Sequence, residues 1–378
     1  MTDRASVPEH IAGAVLTIDL DALRSNYRRI LQQLNGVPSA AVVKADGYGL
    51  GIGPVGRTLW DAGARTFFVA HPVEGIALRG HLPDAEIVIL GGALSGMEGD
   101  FRVHRLIPAL NDLGGVDRWR TYCGKTGENL PAVLHVDTGM CRLGLDRAEF
   151  AKVQADPSLL GGIDITIVMS HLASADEPAS LQSAAQLAYF KQIRQALAPH
   201  LLDTCRASFA ASSAIFLGPD YHFDLGRPGV ALYGVNPTPG KPNPMTQVIR
   251  LQAKILQVRA VDTPETVGYG ATHRVGRPSR IATLPVGYAD GYLRSLSNRA
   301  KAYIGDREVP LVGRVSMDLI TLDVTGVPAA ECRPGALVDL ISPNRDVDAV
   351  AADAGTIGYE LLTSLGRRYH RHYIGGGS

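Results

Sequence analysis

Residues 41–51 read AVVKADGYGLG. A short apolar run ends on a lysine, and three glycines follow within five residues. The stretch reads as a buried strand that stops at Lys44 and turns at once. Parallel sheets covered on both faces produce such continuous β-branched runs. The same texture starts at 40–43 (AAVV) and recurs at 66–70 (TFFVA), 86–90 (EIVIL), 105–109 (RLIPA), 132–136 (AVLHV), 164–169 (DITIVM) and 206–210 (RASFA), with an eighth run at 230–233 (VALY). Helical stripes separate most of them. DALRSNYRRILQQL (21–34) sets Leu23, Tyr27, Ile30, Leu31 and Leu34 on one face, with Asp21 to cap it. LQSAAQLAYFKQIRQAL (181–197) has a similar stripe, Asp112 starts another helix, and GRTLWDAGA (56–64) ends at a glycine stop. Strand–helix alternation of this kind predicts an α/β fold built on a parallel (β/α)8 TIM-like barrel over residues 1–240. A doubly wound open sheet is the competing layout.

The texture changes at NPTPGKPNP (236–244), where four prolines in nine residues predict a stiff extended connector. Across 241–378, short runs alternate with turns, as in VIRLQAKILQVRAV, RIATLPVGYA, KAYIGDREVPLVG, LITLDV and ALVDLIS. This predicts a mostly antiparallel β domain with one helix at 346–354, begun by Asp346.

A chain of 378 residues exceeds what one core usually holds, in keeping with two domains. Lys+Arg and Asp+Glu are 37 each, so no charge footprint points to nucleic acid or an anionic membrane. The four cysteines form no C-x-x-C pair, which argues against a zinc site or disulfide framework and for a reducing, cytoplasmic setting. MTDRASVPEH (1–10) has no apolar signal core, and no apolar run is long enough to span a bilayer. The terminal GGGS (375–378) reads as a flexible tail.

In a barrel, the C-terminal strand ends carry the active site. Lys44 would point into that mouth, where a desolvated lysine becomes a neutral nucleophile suited to a Schiff base. A lysine that merely marks a solvated strand end is the competing reading. Arg142 follows the fifth strand, His171 the sixth and the Ser212–Ser213 pair the seventh, while Arg227 opens the last unit. Each has a structural alternative, the serines as helix caps. Together, a lysine, hydroxyls near glycines and an arginine around one mouth fit pyridoxal phosphate.

The segments AVVKADGYGLG, HVDTGMCRLG, SHLASADE, GRPGVALYG, VGYGATH, LPVGYADGY and GRVSMD together resemble bacterial alanine racemase, in order from about residue 14 to 373. That resemblance implies an isomerase that uses pyridoxal phosphate, bound to Lys44, to interconvert L- and D-alanine. Lys44 and Tyr269 would be the two bases, acting on opposite faces of Cα, with Tyr269 supplied by the partner in a homodimer. His171, backed by Arg227, would assist Tyr269. Tyr48, Ser213 and the backbone of Gly229 and Val230 would hold the phosphate, and Arg227 would face the pyridine nitrogen. Arg142 would lie near the cofactor's phenolic oxygen and the substrate carboxylate, which the Met317 N–H would also hold. Tyr288 and Asp318 would border the approach.

The sequence departs from the family pattern at three places. His135 stands where some members carry a carbamylated lysine, seven residues before the arginine. Arg367 stands where a phosphate-binding tyrosine is common, and Ser212 replaces a common asparagine. A broad-specificity amino-acid racemase and a non-catalytic pyridoxal phosphate carrier are the alternative functions. D-alanine made here would serve as a peptidoglycan precursor, with alanine breakdown the other use open to it.

Overall fold

A computed structural model describes residues 7–376. The reading of the first ten residues falls outside the described residues over 1–6, as does that of the tail at 377–378.

Seven parallel strands run in chain order around a curled sheet: β2 (Ala41–Val42), β3 (Thr66–Val69), β4 (Glu86–Ile89), β5 (Leu106–Leu110), β6 (Pro131–His135), β7 (Asp164–Met169) and β8 (Arg206–Ser208). The eighth side is the segment around Arg227. Arg227 N–H donates to Ala210 on one flank, while Ala40 and Val42 N–H groups donate to Gly226 and Pro228 carbonyls on the other. Parallel bridges Ala211–Arg227 and Ser39–Gly226 close the barrel. Pro228 has no N–H to give, so this side pairs only in isolated bridges. The VALY run expected to be the eighth strand is instead a 3-10 turn, Val230–Tyr233.

Around the strands lie α1 (Leu20–Leu34), α2 (Lys44–Tyr48), α3 (Ile52–Asp61), α4 (Pro72–His81), α5 (Glu98–Val103), α6 (Leu113–Thr126), α7 (Arg147–Ala155), α8 (Leu181–Leu197) and α9 (Ser212–Ile215). Helix α1 buries Leu23, Tyr27, Ile30 and Leu34, as its stripe predicts. Its cap is Asp19 rather than Asp21: the Asp19 carboxylate accepts from the Asp21 and Ala22 N–H groups. Helices α6 and α8 start where Asp112 and Leu181 were read.

The second layer is a six-stranded sheet in the order β15 (Arg307–Pro310), β14 (Lys301–Ile304), β17 (Leu337–Ile341), β9 (Ile249–Lys254), β1 (Ala14–Asp19), β18 (His370–Ile374). The first strand of the chain thus sits inside the C-terminal sheet, antiparallel to β9 and parallel to β18. Three further strands, β10 (Gln257–Val261), β13 (Ser279–Leu284) and β16 (Ile320–Asp323), pair antiparallel, and β11 (Thr266–Val267) with β12 (His273–Arg274) forms a small hairpin. Helix α10 (Val347–Ala354) is capped by Asp346, and α11 (Gly358–Ser364) follows it. The proline-rich connector is a folded loop, not an extended rod. Asn236 accepts from the Thr238 N–H at 2.9 Å and donates to the Lys241 carbonyl, while its own N–H reaches Asp348 at 2.8 Å.

Candidate active site

Strand β2 ends at Val42, and Lys44 opens a turn of unusual hand. Ala45, Asp46, Gly47 and Tyr48 all have φ between 54° and 64°. Left-handed backbone costs roughly 1–2 kcal/mol for each residue with a Cβ, so the turn must be held from outside. Glu74 accepts from the Ala45 N–H at 2.5 Å, and Asp46 accepts from the Ile52 N–H at 2.9 Å. Gly47 and Gly49 provide the positions where a side chain would strike Val55 or the Leu362 carbonyl.

The turn places Lys44 on the wall of a cavity of about 630 Å³ at the C-terminal mouth of the barrel. Tyr48, His135, Arg142, His171, Ser213, Arg227, Gly229, Val230 and Tyr359 share that wall. Burial first, and then Arg142, lower the Lys44 pKa, while Glu74 opposes them. His171 is pushed down to about 3 by burial and by the Arg227 and Arg142 charges. It is a neutral imidazole at ordinary pH. Arg227 donates to the Ser208 hydroxyl and the Ser170 carbonyl, each at 2.6 Å. Burial lowers its pKa to about 10, so it keeps its charge at neutral pH.

Arg142 leaves a tight loop after β6 whose Asp137 carboxylate accepts from three N–H groups, those of Gly139, Met140 and Cys141, each at 2.9 Å. His135 is fixed differently. Asn111 donates its amide to the Leu90 carbonyl at 3.0 Å, which leaves its oxygen facing His135 Nδ1 at 2.7 Å. Nδ1 therefore carries the proton and Nε2 is an acceptor. Burial and Arg227 push the His135 pKa down to about 4, so this tautomer persists.

The residues present fit pyridoxal phosphate. Short helical turns begin at Ser212 and Val230, and the N–H groups of Ser213, Ala214 and Val230 have no acceptor among the described residues. Gly229 brings backbone close to Tyr48: a Cβ there would lie 2.4 Å from the tyrosine hydroxyl. Tyr48 is stacked on Tyr233 at 4.4 Å, and Tyr233 donates to the Val42 carbonyl. One donor is already spent, because the Gly229 N–H is bonded to Ser212 Oγ at 2.9 Å. Ser212 is thus the brace of the cradle, a role the sequence did not reveal. A lysine below its usual basicity, hydroxyls and open N–H groups beside Gly229 make a set suited to a carbonyl-bearing phosphate.

Other expected residues lie off this wall. Arg367 is exposed and absent from the lining. Tyr359, on α11, lines the cavity 6.4 Å from the Tyr48 ring, and burial raises its pKa to about 12. Tyr359 thus stands in the lining where the family pattern led to Arg367. Tyr269 is 74% exposed on a 3-10 turn, and Tyr288 and Met317 are exposed too. The Tyr269 turn packs on Gly313 and Arg314, three residues before Met317, whose carbonyl accepts from the Ala289 N–H at 3.0 Å. Arg368 bridges Asp290 and Asp318 beside them.

Residues 18–237 match the alanine racemase N-terminal domain, and residues 248–373 match the alanine racemase C-terminal domain. The chain belongs to the alanine racemase family. The alanine racemase of Rhodospirillum rubrum is 50% identical over 369 residues, 97% of both chains. The catabolic alanine racemase of Mesorhizobium japonicum is 47% identical over 98% of this chain and 96% of its own. The crystal structure of Bartonella henselae alanine racemase, which has covalently bound pyridoxal phosphate, superposes with a TM-score of 0.91 at 40% identity, covering 96% of this chain and all of that one. Among the described residues no helix is long and apolar enough to cross a membrane, and no acidic, histidine or cysteine cluster could hold a metal ion.

Proposed function

We propose that the protein is a pyridoxal-phosphate-dependent alanine racemase that interconverts L- and D-alanine through two bases, Lys44 and Tyr269. The observation that carries the reading is the convergence of Lys44, Arg142, His171 and Arg227 on one cavity beside a cradle of open N–H groups. When bound, pyridoxal phosphate supplies an electron sink for the pair left on Cα as its proton departs. The hydroxyls of Ser213, Tyr48 and Tyr359 and the N–H of Val230 would hold the phosphate. Arg227 would face the pyridine nitrogen. It keeps its own protons at neutral pH and so offers none to that nitrogen.

Lys44 moves the Cα proton on one face, helped by a pKa already lowered by burial. Tyr269, from a second copy of the chain, serves the opposite face. Its exposure in a single chain supports this, as does the company of Tyr288, Met317 and Asp318. His171, neutral and backed by Arg227, would accept a hydrogen bond from the Tyr269 hydroxyl. Arg142 and the Met317 N–H would grip the substrate carboxylate, while Tyr288 and Asp318 border the approach. The Met317 N–H meets no acceptor among the described residues. In this reading, residues 1–240 hold the cofactor, residues 241–378 supply the second base, and the active unit is a homodimer. The four unpaired cysteines support a reducing, cytoplasmic setting.

Borohydride is expected to fix pyridoxal phosphate on Lys44, and the loaded protein to exchange the Cα hydrogen of both alanine enantiomers with solvent. Binding without exchange of either enantiomer would leave a cofactor carrier instead. A chirality assay over a panel of amino acids separates an alanine racemase from a broad-specificity one.

A further inference from the structure

We propose that Glu74 is a positioning residue for Lys44, pinning the backbone directly after the lysine through the Ala45 amide. The proposal rests on Lys44 being the reactive amine of the preceding section. Glu74 lies in the first turn of α4, thirty positions along the chain from Lys44, and its two oxygens face different elements. Oε2 accepts from the N–H groups of Ala70 at 2.8 Å and His71 at 3.1 Å, which ties it to the end of β3 and the cap of α4. Oε1 accepts from the Ala45 N–H at 2.5 Å. One carboxylate thus fastens two neighbouring strand ends of the barrel together at its catalytic mouth.

The fastening falls where the backbone needs it. Ala45 is the first of four consecutive left-handed residues, and of these Ala45 and Tyr48 are neither glycine nor the Asn/Asp types that adopt this backbone readily. Released at Ala45, the turn could relax toward right-handed backbone, and Lys44 would swing with it. Helix capping alone needs only the Ala70 and His71 bonds. The third bond reaches outside the helix and has no part in its cap.

Charge gives Glu74 a second lever on the same lysine. Burial, and then Arg142 from the loop after β6, lower the Lys44 pKa, and Glu74, from α4, raises it. His171, from the loop after β7, faces the same lysine and is neutral. Glu74 therefore opposes, by its charge, the loss of basicity that burial and Arg142 impose on the amine.

Glu74→Gln separates the clamp from the cap. The single amide oxygen is best used on the two N–H groups of Ala70 and His71, which leaves the NH2 group opposed to the Ala45 N–H. Hydrogen exchange on the full-length protein, with pyridoxal phosphate and stripped of it, should show a protected Ala45 amide in the wild type. In Glu74→Gln it should exchange about tenfold faster, the factor expected for one charge-assisted hydrogen bond, with Ala70 and His71 still protected. In the stripped protein the pH midpoint for acylation of Lys44 should move down, and in the loaded protein kcat for alanine should fall while KM changes little. Glu74→Asp, too short to span both partners, should free Ala45 with a smaller midpoint change. An Ala45 amide open to exchange in the wild type overturns the proposal whatever the variants do. So does a folded Glu74→Gln with unchanged Ala45 exchange and Lys44 midpoint. Failure of Lys44 to take pyridoxal phosphate would instead count against the racemase reading, and Ala45 exchange would still report on the clamp.

Discussion

His171 and His135 are held neutral by burial first, and then by the arginines that make the cavity receptive to anions. Burial and the Arg227 charge set their pKa values at about 3 and about 4, against an ordinary value of 6.5. The unfolded chain binds these two protons near pH 6.5 and the folded chain does not. Their contribution to stability is therefore complete above that pH and is lost as pH falls toward 4 and 3. At pH 5 the loss is roughly 2 kcal/mol per histidine. The denaturant midpoint of the cofactor-free protein should fall between pH 7 and 5, and the fall should shrink in a His135→Asn, His171→Asn double variant. A double variant as acid-sensitive as the wild type would assign the effect elsewhere. At Tyr269 the expected change is directional. Tyr269→Phe should lower the rate by ~10²–10⁴, most where Tyr269 would remove the Cα proton, as read by solvent isotope uptake from each enantiomer. Mild and equal losses would remove it from the role of base. Gly229→Ala would press a methyl against the Tyr48 hydroxyl, and should weaken pyridoxal phosphate binding at least about tenfold, measured by fluorescence titration.

Strand periodicity was legible because burial on both faces writes uninterrupted β-branched runs, and all seven runs from AAVV to RASFA became barrel strands. The eighth side was not. It is made by a Gly-Arg-Pro segment that pairs through two isolated bridges, and hydropathy carries no trace of such pairing. The same limit applies to β1, whose AVLTID sequence reads as a strand of either layer. Only long-range pairing puts it between β9 and β18. Lys44, Arg142, His171, Ser213 and Arg227 could be found because each follows a strand end, where this fold keeps its chemistry, whereas Tyr48, Gly229 and Val230 came from the family resemblance alone. The places of Tyr359 and of the Ser212 brace come from packing between distant elements, which no local sequence pattern carries. Strand β18 shows that such packing reaches the site: Tyr373 donates to the Leu50 carbonyl at 2.9 Å and Arg371 to the Gly49 carbonyl at 2.6 Å, at the far end of the Lys44 turn. Tyr373→Phe should cost about 1 kcal/mol in a denaturant melt, with faster exchange at residues 49–52. A variant with wild-type exchange there would unlink the C-terminal strand from the turn.

In the proposed reading, the cavity of one chain and the exposed Tyr269 of another form one site. One chain brings Lys44, Arg142, His171 and Arg227 to a single wall, while Tyr269, Tyr288 and Met317 stand in solvent on the other lobe. Aromatic and methionine side chains left exposed in a single chain are residue types enriched in interface cores. In a two-fold dimer each chain would present both halves, so two shared sites form at once. That geometry has a consequence no single-chain site shares. Lys44→Ala and Tyr269→Phe should each be nearly inactive alone. Mixed and allowed to exchange subunits, they form hybrid dimers in which one site has Lys44 from one chain and Tyr269 from the other. The second site of each hybrid lacks both. Random exchange would then restore about a quarter of the wild-type sites, with activity that appears over the time of subunit exchange. Activity that stays at the sum of the two variants, although hybrids are seen by native mass spectrometry, would mean that Lys44 and Tyr269 never serve the same substrate across two chains.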